Sequence, residues 1–438
     1  MIIFHLNLTK NSGRVAGFFN LNFKIMLNVL NQAKKAREAS KILRQASTKQ
    51  KNNFLNKLTD LLNENFDKII EENKKDLNVK NDITPAMKKR LELSLKGLKA
   101  IAKGVREIAK QEDPVGKKDK CWRRPSGFEV CKVRVPIGVI ACIFESRPNI
   151  IVDVSSLCVK SGNAAIVRGG KEAINSNNVL IGLIHQALEQ SGLPYNAVQQ
   201  LEDRRYEAVD ELVQLDEYLD LVVPRGRESL IKAVSAKAKM PVIKHTRGLC
   251  HAYIDSEADP EKAIKIAINA KISNPATCNS IETLLVHRQI ADKVLSRLLS
   301  ELIDKGVEIR ACPKTMPYYE KCKPATEDDW SEEYLDLILA VKIVDSYEEA
   351  VTHIQKFSSG LTDSIISENK TKQEDFLQAI DSAVVLVNAS NRLADGGVFG
   401  LGAEIGISTN RIHMRGPMCL EDLTVTKYVV LGNGHVRE

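Results

Sequence analysis

Beyond residue 136, short apolar runs alternate with helical stretches, and this feature limits what the chain can fold into more than any other. Runs of this length predict buried strands, and Val179–Leu188 and Ala263–Ala270 are typical of the helical stretches between them. The runs are Ile137–Phe144, Ala164–Val167, Leu219–Val223, Pro241–Ile243, Ala252–Ile254, Thr283–Val286, Leu339–Val344, Ser364–Ile366 and Ala383–Val387. The sequence therefore predicts an α/β fold with mostly parallel strands.

Length and composition narrow the class of protein. A chain of 438 residues allows two or three domains, and 43% hydrophobic with 27% charged residues is typical of a globular protein. No run of about 18 apolar residues occurs, which predicts that the chain does not enter a membrane. A net charge of +7 fits a small anionic ligand better than a nucleic-acid surface.

The N-terminal segment and the cysteines need separate interpretations. Residues 1–25 have no acidic residue and no strong apolar period, and we interpret them as an extension before Met26, disordered or not native. A transit peptide is the alternative, although Ser and Arg are not enriched there. Nine cysteines without a secretory signal or a metal-type spacing predict free thiols in a reducing compartment and no metal site.

Two segments combine a predicted strand with groups that suit an anion. In 136–149 a buried strand ends in a polar cluster, where Arg147 is suited to bind a phosphate or carboxylate. The alternative is a surface loop with a salt bridge. In 161–173 a strand, Gly169–Gly170 and a helix start form a possible anion cradle, although this is not the standard dinucleotide motif.

Two further segments carry reactive or unusual residues. Cys278 follows a helix and Pro275 and precedes an apolar strand, so its thiol could be accessible, although a lone cysteine is more often an inert core residue. In 387–406 five glycines are mixed with Asn388, Ser390 and Arg392, which suggests close approach to a ligand or simply a flexible loop.

These segments together identify a family. From Met26 to its end the chain resembles the gamma-glutamyl phosphate reductases, a branch of the aldehyde dehydrogenase superfamily. The matching strings are VPIGVIACIFESRPN, VDVSSLCVKSGNAAIVRGGKEA, NPATCNSIETLLVH, EEYLDLILAVKIVDS, LVNASNRLADGGVFGLGAEIGIST and HMRGPMCLEDLTVTKYVVLGNG.

The resemblance implies an activity. It implies NADPH-dependent reduction of L-glutamyl 5-phosphate to L-glutamate 5-semialdehyde and phosphate through a cysteine thioester, the second step of proline biosynthesis. Cys278 falls on the family's nucleophile. Another acylating aldehyde dehydrogenase, such as one that uses coenzyme A, and an inactive scaffold of the same fold are the alternatives.

The resemblance also assigns site residues. Arg168, Gly169 and Lys171 match the cofactor loop, where two cations favour the 2′-phosphate of NADPH. Glu333 resembles the glutamate that holds the nicotinamide ribose, and Arg147 is expected to meet the phosphate that leaves the substrate. Asn388, Ser390 and Arg392 are expected to contact the glutamate end of the substrate.

Some positions depart from the pattern of the superfamily. Lys244–Gly248 stands where hydrolytic members carry their general-base glutamate, with His245 as an alternative base. Arg227 replaces a glycine of the family, and it either contacts the 2′-phosphate or crowds the cofactor site.

The implied architecture has a Rossmann-like cofactor domain at 26–247, with a hairpin arm at 121–135, and a catalytic α/β domain at 248–405. The remaining residues, 406–438, return with an oligomerisation strand near 424–431. We therefore expect a cytoplasmic homodimer or homotetramer that acts on a small acyl phosphate and is linked functionally to glutamate 5-kinase.

Overall fold

The chain divides into two compact units in the computed structural model, which describes residues 12–79, 85–244 and 247–437. The first unit consists of Met1–Val242 and Leu423–Glu438, and the second of Ile243–Asp422. The predicted domain boundary at 247/248 stays a prediction. Among the described residues, no helix is both long and apolar enough to cross a membrane.

Helices and strands alternate along most of the chain beyond residue 136, as the apolar pattern predicts. The helices are α1 Ser12–Leu43, α2 Thr48–Glu64, α3 Phe66–Asn78, α4 Pro85–Leu91, α5 Leu95–Lys110, α6 Asn149–Lys160, α7 Ile174–Gln190, α8 Tyr206–Leu212, α9 Glu228–Lys237, α10 Pro260–Ile272, α11 Arg288–Asp304, α12 Tyr347–Phe357 and α13 Lys370–Ala379. The strands are β1 Lys118–Arg123, β2 Glu129–Pro136, β3 Val139–Phe144, β4 Ala164–Arg168, β5 Val198–Gln200, β6 Leu221–Arg225, β7 Cys250–Ile254, β8 Ile281–His287, β9 Glu308–Ala311, β10 Lys323–Pro324, β11 Ile338–Val344, β12 Thr362–Ile366, β13 Val384–Val387, β14 Gly406–Ser408, β15 Gly416–Met418 and β16 Thr424–Leu431.

The first unit is built on a parallel sheet in the order β5-β4-β3-β6. Strand β3 is buried along its whole length, which explains its continuous apolar sequence. The predicted strand at Pro241–Ile243 is reduced to one bridge between Val242 and Val222. Helix α1 begins at Ser12, so the described part of the predicted extension is helical rather than disordered. Residues 1–11 lie outside the described part of the chain.

A separate three-stranded antiparallel sheet belongs to the same unit, in the order β1-β2-β16. Strands β1 and β2 form a hairpin where the arm at 121–135 is predicted. Cys121 lies directly opposite Cys131 in this hairpin, and the two form a disulfide. The prediction that all nine cysteines are free thiols is therefore wrong for this pair, because cross-strand neighbours in an antiparallel pair come close enough to bond.

The second unit contains a seven-stranded parallel sheet in the order β10-β9-β11-β8-β7-β12-β13. Helices α10 and α11 contribute apolar side chains to a core with β7, β8 and β11. Strand β8 is buried at every residue, as expected for a parallel sheet covered by helices. The α/β prediction is confirmed, and the helix-to-strand turn before β8 carries Cys278.

Candidate active site

Cys278 lies in the loop between α10 and β8, which we call the cysteine loop (residues 273–280). Of the seven free cysteines it alone is partly exposed, and the other six are buried. Burial raises the pKa of Cys142 to about 12 and raises the pKa of Cys250 well above its ordinary value. Because a reactive cysteine must be accessible and form a thiolate, exposure distinguishes Cys278 from the buried thiols.

Hydrogen bonds hold the cysteine loop at several points. The Thr277 hydroxyl donates to the Asn274 carbonyl at 2.8 Å, and the Ser280 hydroxyl donates to the Ala270 carbonyl at 3.1 Å. The Asn279 amide donates to the Ala394 carbonyl at 2.9 Å. These bonds fix the backbone on both sides of Cys278.

Gly248 packs directly against the backbone of Cys278. A Cβ atom at Gly248 would lie 2.2 Å from the Cys278 carbonyl oxygen and 2.7 Å from its Cα atom. No side chain fits there unless the backbone moves. The Cys250 thiol also donates to the Cys278 carbonyl, with a distance of 3.2 Å between sulfur and oxygen. The Lys244–Gly248 segment thus braces the nucleophile candidate at Gly248.

Glu333 lies on the other side of Gly248. Its carboxylate accepts a hydrogen bond from the Gly248 N–H at 2.9 Å. Glu333 and Cys278 therefore both contact Gly248. These two site residues are predicted from two separate sequence motifs.

Arg392 lies beside the cysteine loop. Its guanidinium donates to the Ser273 hydroxyl at 3.2 Å and to the side-chain oxygen of Asn279. Burial lowers the pKa of Arg392. Ser390 accepts the N–H of Arg392 at 3.3 Å and so begins the short turn that carries it.

Asn388 makes different contacts from Ser390 and Arg392, the other two residues predicted to bind the substrate. Its amide accepts the Ser367 N–H and donates to the Ser367 carbonyl, both at 2.9 Å. Its backbone is left-handed, with a φ of 51°. The side chain thus holds the chain beyond β12, and a substrate contact would have to replace these bonds.

A carboxylate of the chain caps α7, the helix that follows the predicted anion cradle at Gly169–Gly170. The Asp76 carboxylate accepts the N–H groups of Asn175 and Ser176 at 3.0 and 2.8 Å, at the start of α7. These two N–H groups are therefore used within the fold, and an anion cradle at Gly169 and Lys171 stays a prediction. A Cβ atom at Gly169 would lie 2.1 Å from the Asn177 amide nitrogen, so this glycine makes room for a neighbouring side chain.

The two predicted cofactor cations differ in exposure. Arg168 is buried, donates to the Arg204 carbonyl at 2.9 Å and stacks on the Tyr206 ring at 5.2 Å. Its buried Nε has no partner among the described residues. Lys171 is exposed.

Arg147 is half-buried in the loop that follows β3. The preceding residue, Ser146, has a φ of 43° and donates its N–H and its hydroxyl to Glu172, both at 2.7 Å. Arg227 donates its N–H to Glu145 at 2.9 Å, and its guanidinium lies 3.5 Å from the same carboxylate. His245 lies outside the described residues.

The sequence interpretation missed several residues that shape the cysteine loop. Cys250 gave no signal in the sequence, and Gly248 was noted only as the last residue of the Lys244–Gly248 departure. Lys271 and Glu282 look like ordinary helix and strand residues, and only their proximity in the fold shows that they pair. Asp76 was missed because it caps a helix distant in sequence.

Comparisons with known proteins identify the family of the chain. The family model "Aldehyde dehydrogenase family" matches residues 27–308. The chain is 46% identical over 412 residues to the "Gamma-glutamyl phosphate reductase" of Thermodesulfovibrio yellowstonii, which covers 94% of this chain and 99% of that protein. The protein of the same name from Petrotoga mobilis is 48% identical over 411 residues, or 93% of this chain and 99% of that protein.

Solved structures give the same result. The crystal structure of gamma-glutamyl phosphate reductase from Thermotoga maritima matches with a TM-score of 0.89 and 44% identity, covering 94% of this chain and 100% of that chain. An acetylating aldehyde dehydrogenase from Geobacillus thermoglucosidasius has a TM-score of 0.71 at 17% identity over 95% of this chain and 99% of that chain, which shows the shared fold alone. The chain therefore belongs to the aldehyde dehydrogenase family and, within it, to the gamma-glutamyl phosphate reductases.

Proposed function

We propose that this protein reduces L-glutamyl 5-phosphate to L-glutamate 5-semialdehyde and phosphate, with NADPH as the reductant. The observation that carries the proposal is Cys278, the partly exposed cysteine in a loop braced by Gly248 and Cys250. The names of the relatives, which cover nearly the whole chain, supply the substrate. The acyl phosphate itself must come from a reaction that phosphorylates glutamate, consistent with a link to glutamate 5-kinase.

In the proposed mechanism the Cys278 thiolate attacks the acyl carbon of the substrate. A carbon–sulfur bond forms, and the bond between the acyl carbon and the phosphate oxygen breaks, so that phosphate leaves. We propose that the N–H of Cys278 stabilises the oxyanion that forms on the acyl oxygen. After reduction the thiohemiacetal loses its carbon–sulfur bond, which releases the aldehyde and regenerates the thiolate.

NADPH supplies the hydride when it is bound. Arg168 and Lys171 are the residues we propose for its 2′-phosphate, because the buried Nε of Arg168 has no partner among the described residues. We assign the nicotinamide ribose to Glu333, which adjoins Gly248.

Water should be a poor competitor for the thioester. Glu333 accepts from a backbone N–H and Glu282 is paired with Lys271, so we do not propose either of these two carboxylates as a general base for water. For the substrate, we propose that Arg147 binds the leaving phosphate and that Ser390 and Arg392 bind the glutamate end, with Asn388 as the least available of the predicted set.

The experiment is the reverse reaction, followed as NADPH formation from L-glutamate 5-semialdehyde and NADP. We expect the rate to depend on inorganic phosphate, not to be supported by coenzyme A, and to fall by at least about a thousandfold in Cys278→Ser. A folded protein that reacts only with coenzyme A would contradict the substrate, and a fully active Cys278→Ser would contradict the mechanism.

We also propose that a second copy of the chain covers strand β16. This strand is at one edge of its sheet, and Tyr428, Val430 and Leu431 are 63%, 59% and 56% exposed. Exposed apolar residues on an open edge favour pairing with another chain. Light scattering after size exclusion should show a dimer or tetramer that Tyr428→Glu/Val430→Glu dissociates, whereas a monomeric parent protein would contradict the proposal.

A further inference from the structure

A buried ion pair closes the base of the cysteine loop. The Lys271 ammonium lies 2.6 Å from the Glu282 carboxylate, and the two side chains are 0% and 1% exposed. Lys271 is in the last turn of α10, and Glu282 is the second residue of β8. The whole cysteine loop lies between these two residues, so their contact fixes the distance between its ends.

The same pair also reaches the segment that carries Glu333. The second carboxylate oxygen of Glu282 accepts the N–H of Leu335 at 3.3 Å, and Leu335 has a left-handed φ of 53°. The Lys271 ammonium lies 5.9 Å from the centre of the Tyr334 ring. A left-handed leucine is strained and persists only where neighbouring groups hold it. Glu282 therefore helps to set the path of the chain next to Glu333.

Stability alone does not account for a charged pair at this place. Burial raises the pKa of Glu282 to about 7 and lowers the pKa of Lys271, because both charges are removed from water. A well-packed apolar pair is often as stable as a buried ion pair or more stable. What an apolar pair lacks is direction, because only the carboxylate can hold Lys271 and the Leu335 N–H at once.

We propose that Lys271 and Glu282 are positioning residues that hold the cysteine loop and the Glu333 segment in one fixed arrangement for catalysis. This inference rests on the proposed roles of Cys278 and Glu333. The pair touches neither the substrate nor the cofactor and acts through the two segments it joins. A displacement of about 1 Å at reacting groups can cost about 100-fold in rate, so a loop held at its base matters to the reaction.

The test replaces the pair by apolar residues of similar size, Lys271→Met/Glu282→Leu. We expect a folded protein whose melting temperature is equal to or above that of the parent, because no charge is left unpaired. We expect kcat/KM for the phosphate-dependent reaction to fall at least about 30-fold. The rate of Cys278 alkylation by iodoacetamide, mapped by mass spectrometry, should change at least about fivefold, and NADPH binding should weaken.

A matched control is available in the first unit. Lys51 and Asp113 form a second buried pair, 2.9 Å apart, with side chains 1% and 9% exposed, and the Asp113 carboxylate also accepts the Thr48 hydroxyl and the Val115 N–H within the first unit. Lys51→Met/Asp113→Leu should leave kcat/KM and the alkylation rate of Cys278 within about twofold of the parent. Glu282→Gln, which keeps an acceptor for Leu335, should lie between the parent and the apolar double variant.

A folded Lys271→Met/Glu282→Leu protein with the alkylation rate, NADPH affinity and kcat/KM of the parent would overturn the proposal. If the double variant fails to fold, Glu282→Gln decides, since parental kinetics and alkylation there would overturn it as well. Failure of the proposed function would look different: Cys278→Ser would keep its activity, while alkylation and NADPH binding would still report on the ion pair.

Discussion

Hydrogen bonds fix both the turn after β4 in the first unit and the cysteine loop in the second unit. The two differ in where the charged side chains lie and in what remains exposed. At the first, the Asp76 carboxylate takes up the N–H groups that begin α7. At the second, the buried charges lie at the base of the loop, in Lys271 and Glu282, and Cys278 remains partly exposed.

This difference separates a turn that stabilises the fold from a loop that presents a reactive group. A helix start that is capped by its own chain has no unsatisfied donors left for an anion. A loop held at its ends and braced at its backbone keeps a side chain accessible in one geometry. Disturbing the Asp76 cap should therefore change mainly stability, and disturbing the cysteine loop should change mainly the reaction.

The largest effect is expected from Gly248→Ala, which disturbs the cysteine loop. The new Cβ atom would lie 2.2 Å from the Cys278 carbonyl oxygen, so the backbone next to the nucleophile must move. We expect kcat/KM to fall at least about 100-fold while the protein stays folded. Steady-state kinetics and circular dichroism measure this, and activity near that of the parent would show that Gly248 does not position Cys278.

The next largest effect is expected from Asp76→Ala, which removes the cap at the start of α7. Removing the carboxylate leaves buried N–H groups of Asn175 and Ser176 without acceptors, which should cost about 2–4 kcal/mol of the free energy of unfolding. Urea denaturation measures the loss. The folded fraction should keep most of its kcat, and a loss of kcat larger than the loss of folded protein would mean that the Asp76 cap itself contributes to the reaction.

Acid should destabilise both units, and the second unit more strongly. Burial lowers the pKa of His353 to about 3 and also lowers the pKa of the less buried His185 in α7. A histidine with a lowered pKa stabilises the fold above its unfolded pKa of about 6.5, and that stability is lost as the pH falls from there toward about 3. The slope is about 1.4 kcal/mol per pH unit for one proton.

His353→Phe suits this test because His353 is surrounded by the aromatic rings of Trp330 and Phe357. We expect this variant to lose less stability than the parent between pH 6.5 and 4, measured by urea denaturation at each pH. His185→Phe should remove a smaller part of the slope. Equal slopes in the parent and His353→Phe would show that His353 is protonated in the fold.

The smallest effect is expected from Gly182→Ala in α7, which is the same substitution as Gly248→Ala made at a glycine far from the cysteine loop in the sequence. A Cβ atom at Gly182 meets nothing within 4 Å. We expect a gain of up to about 1 kcal/mol in the free energy of unfolding, because alanine is the better helix residue, with unchanged kcat/KM. A destabilised Gly182→Ala would mean that glycine is required in this part of α7 as well.

The architecture is predictable from runs of apolar residues, and the candidate nucleophile from a short sequence motif. Both signals consist of residues that are adjacent in the sequence. Strand β3 and the segment around Cys278 are of this kind. Short strands such as β9, with alternating burial, carry too few apolar residues to stand out. The Asp76 cap, the Cys121–Cys131 disulfide and the Lys271–Glu282 pair depend on pairings that only the folded chain defines.

The central claim is that Cys278 forms a thioester that reacts with phosphate and not with water. The most direct measurement mixes the enzyme with L-glutamate 5-semialdehyde and NADP in the absence of phosphate and follows NADPH in a stopped-flow instrument. The account predicts one rapid equivalent of NADPH per active site, an acyl group on Cys278 by mass spectrometry, and turnover only after phosphate is added. Steady NADPH formation without phosphate, or no burst and an unmodified Cys278, would contradict it.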